Sequence, residues 1–247
     1  MGRRSMHELN DIELLHLYER LAEHAEPGLA MVSQELANRR AQASLARVAQ
    51  LPERLLRAVA FVDAGYLRNL GARALGCSPA EVHIDGAALR EWLHRLAEPF
   101  RFMRGYVYDG RYPPEHPKAS VQAAQLDELA DTSQIRLRLG VLRERDRGRS
   151  VEQKGVDTLL VLDALQMAQM NAYNIAFLVA GDADFAEVVD AVQRLGRTVA
   201  VVAMEDLQAV SKDLRQAADE FPLLEAKELK ALVRRSAVSE DERVGES

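Results

Sequence analysis

The sequence predicts an α/β sandwich, a mostly parallel sheet with helices on both faces, preceded by a helical extension. Three observations lead there. Short apolar runs at 58–62, 175–179 and 198–204 lack the alternation of half-exposed strands, which is how strands buried on both faces look. Helical patterns stand between such runs, and the links are short, so strand and helix alternate as a parallel sheet requires. The 247 residues, 48% hydrophobic and 28% charged, are enough for one sizeable domain with an accessory segment.

Taken in order, residues 1–57 read as helix: Asn10 stands three residues before Glu13, as in a capping box, and Ile12, Leu15, Tyr18 and Leu21 recur at helical spacing. Pro27-Gly28 divides this region into a hairpin, expected to pack or to join copies of the chain into a homo-oligomer. A strand at 58–62 then runs into a loop at Asp63 and Gly65. Next come a helix over 86–97, a strand over 103–108 ending at Asp109-Gly110, a proline-rich loop at 112–117 and a helix over 121–130. Ser78-Pro79 opens a helical turn. From Ile135 to Leu142 apolar residues alternate with arginines, the period of a half-exposed strand whose arginines face solvent or a ligand. A loop over 147–154 leads to a helix from Val156. Strand 175–179, a helix over 183–195 capped at Gly196, and strand 198–204 complete the sheet. The domain is thus expected over 58–224, with a helical and then polar tail over 225–247.

Composition excludes several classes. Cys77 is the single cysteine, so neither an internal disulfide nor a multi-thiolate zinc site is available, and a reducing, cytoplasmic setting is expected. The opening MGRRSMHELNDIELL lacks the uniform apolar core of an export signal. No apolar run approaches the roughly 18 residues that span a bilayer, so no membrane is expected. The net charge of −6 repels a polyanion overall, yet residues 136–154 carry Arg136, Arg138, Arg143, Arg145, Arg147, Arg149 and Lys154 against three acids. Neither G-x-G-x-x-G nor G-x-x-x-x-G-K-[ST] occurs, and the six histidines show no metal-ligand spacing.

In an open parallel sheet the ligand site lies beyond the carboxyl ends of the strands. Asp63 follows the first apolar strand, Asp182 and Asp184 follow strand 175–179 after Gly181, and Asp157 opens the helix behind Lys154-Gly155. Converging carboxylates repel, by roughly 4 kcal/mol at 4 Å and an effective dielectric near 20, so they need a cation between them. All-oxygen ligands select a hard ion, Mg²⁺ or Mn²⁺, which suits phosphodiester hydrolysis by a metal-activated water. The plainer alternative is helix capping by Asp157 and Asp182. Asp63 resists it, because no helix start is expected directly after it. Asp163 lies about 120° around the helix from Asp157, which leaves it either supporting the site or on the helix surface. Lys154 stays open between a phosphate contact, a partner of the carboxylates and an ordinary loop lysine.

Three motifs, FVDAGYL at 61–67, KGVDTLLVLDAL at 154–165 and VAGDADFAEVVDAVQRLGRTVAVV at 179–202, carry a resemblance. Over about residues 58–224 the chain resembles NYN domains of the LabA/DUF88 type, a branch of the PIN-like nuclease superfamily. The resemblance implies a PIN-like, Rossmann-like α/β/α sandwich whose sheet rim holds Mg²⁺ or Mn²⁺ and which cleaves RNA, single-stranded or structured. It implies metal-binding and catalytic roles for Asp63, Asp157, Asp182 and Asp184, and a packing role for Phe185. Lys154, Arg147, Arg149 and Tyr66 are the expected substrate contacts. Where the first motif commonly has glycine and asparagine, this chain has Ala64 and Tyr66. A non-catalytic RNA-binding module of the same fold is the first rival, and a Toprim-like or phosphatase-type enzyme using Asp182 and Asp184 the second.

Overall fold

The computed structural model describes residues 56–145, 150–204 and 209–236. The expected helical extension lies outside these up to residue 55, as does the polar tail from residue 237. Strand β1 (Arg57–Asp63) is buried from Ala58 onward and occupies the middle of a six-stranded sheet. On one side it pairs in parallel with β3 (Arg101–Arg111), which pairs in parallel with β4 (Ile135–Arg145), and β5 (Ser150–Lys154) closes that edge antiparallel. On the other side β1 pairs in parallel with β6 (Ile175–Val179), followed by parallel β7 (Thr198–Val201).

The period-two alternation of β1 sorts its residues between two cores. Ala58, Ala60 and Val62 face a layer that includes Leu67 and Leu70 of α1 (Ala64–Leu75), and Leu89, Trp92 and Leu93 of α2 (Gly86–Leu96). Phe61 points the other way. It stacks on Tyr106 at 5.8 Å between ring centroids and meets Tyr173 edge-on at the same distance. On that face lie Leu160 and Ala164 of α4 (Val156–Gln169), with Val189 and Val192 of α5 (Phe185–Arg194). Helix α3 (Ala119–Asp131) links β3 to β4. Among the described residues no helix is long and apolar enough to cross a membrane.

Four local expectations are corrected. The segment after Asp63 is not a loop but α1, ended by Gly76 in the left-handed region at φ 64°. Gly65 and Gly71 weaken its helical signal, and Gly71 is there for packing: a Cβ at that position would stand 2.9 Å from Val82 Cγ1. The loop over 147–154 contains β5, whose sequence SVEQK carries only one apolar residue and so gives little strand signal. Strand 198–204 breaks at Val202, where the chain leaves β7 to form β8 (Ala203–Met204) beside β9 (Leu223–Leu224). The segment after 225 is an integral layer. Following the short helix α6 (Lys212–Ala217), helix α7 (Ala226–Leu232) buries Leu229 and Leu232, and β10 (Val233–Arg235) pairs antiparallel with β2 (Val82–Ile84).

Candidate active site

The strand order places a crevice between β1 and β6. From β1 the chain crosses to β3 and β4 on one side, and β6 and β7 occupy the other, so the order of connection reverses at this pair. Such reversal points are where open parallel sheets bind ligands, at the carboxyl ends of the strands. Asp63 ends β1 there. Val62 is opposite Val179, so Ala180, Gly181 and Asp182 continue past the sheet on the neighbouring strand. The antiparallel return of β5 brings a third segment to the same end: Lys154 pairs with Val141, Val141 with Arg111, and Tyr108, three residues before Arg111, with Asp63. Helix α4 therefore starts at the rim, with Asp157 in its first turn.

Asp63 is 8% exposed and does cap α1, against expectation: its Oδ1 accepts from the amides of Gly65 at 2.8 Å and Tyr66 at 3.2 Å. Its Oδ2 takes no hydrogen bond from the described residues, leaving it as the oxygen that a cation would meet. Burial, then the nearby charges of Asp157 and Asp182, push the Asp63 carboxyl up to about 6 despite those two amides. Asp157 is raised as well, by burial first and then by Asp182 and Asp184. It does not cap its helix, since the cap position is Gly155 at φ 84°. Asp182 and Asp184 stand exposed in the turn before α5, where the Asp182 carbonyl accepts from the Phe185 amide at 3.3 Å. Phe185 itself is buried, a packing residue.

Asp63 thus stands near enough to feel Asp157 and Asp182, and Asp157 near enough to feel Asp182 and Asp184. Among the described residues, however, no three acidic, histidine or cysteine side chains are grouped so as to hold a metal ion. The donors are all carboxylate oxygens, Asp63 Oδ2 among them without a hydrogen bond from the described residues, and that chemistry fits a hard divalent cation.

Asp163 is engaged elsewhere. It takes a two-point ion pair from Arg138, Nε to Oδ2 at 2.8 Å and Nη2 to Oδ1 at 3.0 Å, and the Tyr108 hydroxyl donates to it at 3.0 Å. It therefore fastens α4 to the sheet, and Arg138 is correspondingly not free to face a ligand. Arg136 is exposed, Lys154 closes β5, and Arg147 and Arg149 lie outside the described residues.

Asp109, outside the expected site residues, is held in a buried ion pair: Arg68 donates to both of its oxygens at 2.6 Å. Burial works against the Arg68 charge, but Asp109, and after it Asp63, hold the guanidinium above its ordinary value. In sequence Asp109 follows an apolar run as Asp63 does, but β3 continues past it to Arg111.

Tyr66 joins the two acid-bearing segments. Its amide serves Asp63, and its ring lies against Gly181, where an added Cβ would sit 2.7 Å from Tyr66 Cε2 and 2.3 Å from the Ala209 carbonyl oxygen. Gly181→Ala is accordingly expected to destabilise the fold by about 1–3 kcal/mol and to displace Asp182, which urea denaturation and manganese titration would register. An alanine variant with parental stability would show that this contact relaxes freely.

The Asp63 shift also sets a pH dependence. Its folded value, about 6, is above the ordinary 3.8, so the folded state holds the proton more tightly. This contribution is fully present below about pH 4 and is lost as pH rises through 6. In chelator, wild type minus Asp63→Asn stability should fall across that window and then level off, as chemical denaturation at each pH would show. A difference that stays flat would mean that Asp63 is not a raised acid. Divalent ions, which need the ionised carboxylate, should stabilise the protein more above pH 6 than below it.

A family model described as NYN domain matches residues 61–225. Over 98 residues the chain is 33% identical to the uncharacterised protein y4oD of Sinorhizobium fredii, a match covering 39% of this chain and 44% of that protein. A crystal structure of a protein of unknown function from Vibrio parahaemolyticus superposes with a TM-score of 0.50 at 18% identity, covering 75% of this chain and all of the other. That likeness concerns the fold alone.

Proposed function

The chain belongs to the NYN domain family of the PIN-like nuclease superfamily, and from that premise we propose that it is a metal-dependent ribonuclease of the LabA/DUF88 type acting in the cytoplasm. The observation that carries this reading is the placement of four acids at the reversal point of the sheet: Asp63 ends β1, Asp182 and Asp184 follow β6, and Asp157 lies in the first turn of α4. Carboxylates held against their own repulsion store the attraction for a cation.

In this reading Asp63, Asp157, Asp182 and Asp184 hold Mg²⁺ or Mn²⁺. When bound, the ion lowers the pKa of a water and offsets charge developing on the scissile phosphate. The chain's own contribution is positional. The α1 amides fix Asp63 through Oδ1 and leave Oδ2 for the ion. The exposed Asp182 and Asp184 admit solvent, and one of them orients the attacking water. Lys154, Arg147 and Arg149 guide the RNA backbone past this rim, with Tyr66 beside it. The helical extension joins two copies.

The test is calorimetric titration with manganese alongside cleavage of single-stranded RNA by the wild-type protein. Manganese uptake with cleavage supports the reading. RNA binding without manganese uptake or cleavage would replace it with the non-catalytic module, which the separation of the carboxylates into no ready three-ligand group favours.

A further inference from the structure

A cleft of about 500 Å³ opens at Asp182 and extends along α1 to Cys77. Its wall is one stripe of α1, because Tyr66, Asn69 and Arg73 recur at the three- and four-residue intervals that align side chains on a helix. Leu70, 5% exposed, provides an apolar floor. Asn69 and Arg73 are exposed, and neither side chain has a hydrogen-bond or ion-pair partner among the described residues. The size falls within the roughly 300–1,000 Å³ of sites that take a molecule as large as a nucleotide.

Resting on the nuclease reading and extending it, we infer that this cleft is a subsite for one unpaired nucleotide next to the scissile phosphate. The cleft offers three kinds of chemistry that a nucleotide uses. The Tyr66 ring offers an aromatic surface to a base. Asn69 offers one acceptor and two donors to the edge of that base. Arg73 supplies a cation for the phosphate, which a chain of net charge −6 must provide locally. A base inside a duplex cannot expose its face to Tyr66, so the cleft selects single strands at this position.

Cys77 lines the far end and is the only cysteine in the chain, so it reports occupancy. The experiment uses the full-length Asp157→Asn protein with magnesium and a fluorescein-labelled single-stranded RNA octamer. Anisotropy follows binding, and alkylation by N-ethylmaleimide follows Cys77. Saturating RNA is expected to slow alkylation at least about five-fold, and Arg73→Glu to weaken binding about ten-fold and remove that protection. Asn69→Ala, on the same exposed stripe, should weaken binding several-fold with an unchanged melting temperature. RNA bound without protecting Cys77, parental binding by both variants, or equal protection by the same strand in a duplex would each overturn the subsite while the nuclease reading stood. Failure to bind RNA at all would remove both.

Discussion

Asp157→Asn is expected to lower manganese-dependent RNA cleavage by about a thousand-fold, the scale on which removing one electrostatic contact to the transition state acts. The asparagine keeps the shape of the side chain and removes its charge. Because Asp157 repels Asp63 and is itself repelled by Asp182 and Asp184, the substitution relieves strain in the metal-free protein. The melting temperature in chelator should therefore equal or exceed that of wild type, while the increment gained on adding manganese shrinks. That opposition separates a functional acid from a structural one. A variant that cleaves within about ten-fold of wild type, or that melts markedly lower without metal, would remove Asp157 from the site.

Arg68→Ala should produce the largest loss of stability, about 3–5 kcal/mol, because it strands a charge. Asp109 has no exposed surface, and both of its oxygens are held by Arg68; the Gly110 amide, donating to Oδ1 at 2.8 Å, is the other bond. For a domain of this size the melting temperature should fall by roughly 10 °C. The double variant Arg68→Met with Asp109→Leu should recover most of that loss, since replacing both members of a buried pair by apolar groups is often neutral. A single variant within about 1 kcal/mol of wild type would mean that solvent reaches Asp109 once the guanidinium is gone.

The sheet was readable from sequence because its strands are buried on both faces, and such strands leave uninterrupted apolar runs. β1, β6 and β7 begin within a residue of where the runs begin. β5 was not readable, since an edge strand is held by backbone pairing to β4 and its sequence carries little apolar signal. Helix α1 was missed for a related reason. Its Gly71 answers to Val82 and Val233, distant in sequence, and that contact outweighs glycine's poor helix propensity. With so weak a helical signal in α1, nothing in the sequence marks Asp63 as a cap, yet it caps α1 and also lies near Asp157 and Asp182.

The candidate site divides the same way. Which residues carry carboxylates at strand ends, and that a hard cation suits them, follows from the order of residue types along the chain. Which carboxylates are committed does not. Asp163 and Asp109 look no different from Asp157 and Asp63 in sequence, yet Arg138 and Arg68 neutralise the first two. Charge neutralisation depends on which arginine lies opposite, 25 or 41 residues away, and only the folded placement of α1 against β3, and of β4 against α4, decides that. Local patterning fixes the kinds of element and their order, because period and propensity act over a few residues. The partners of each acid were decided by tertiary structure, because electrostatic pairing acts through space between segments that the sequence keeps far apart.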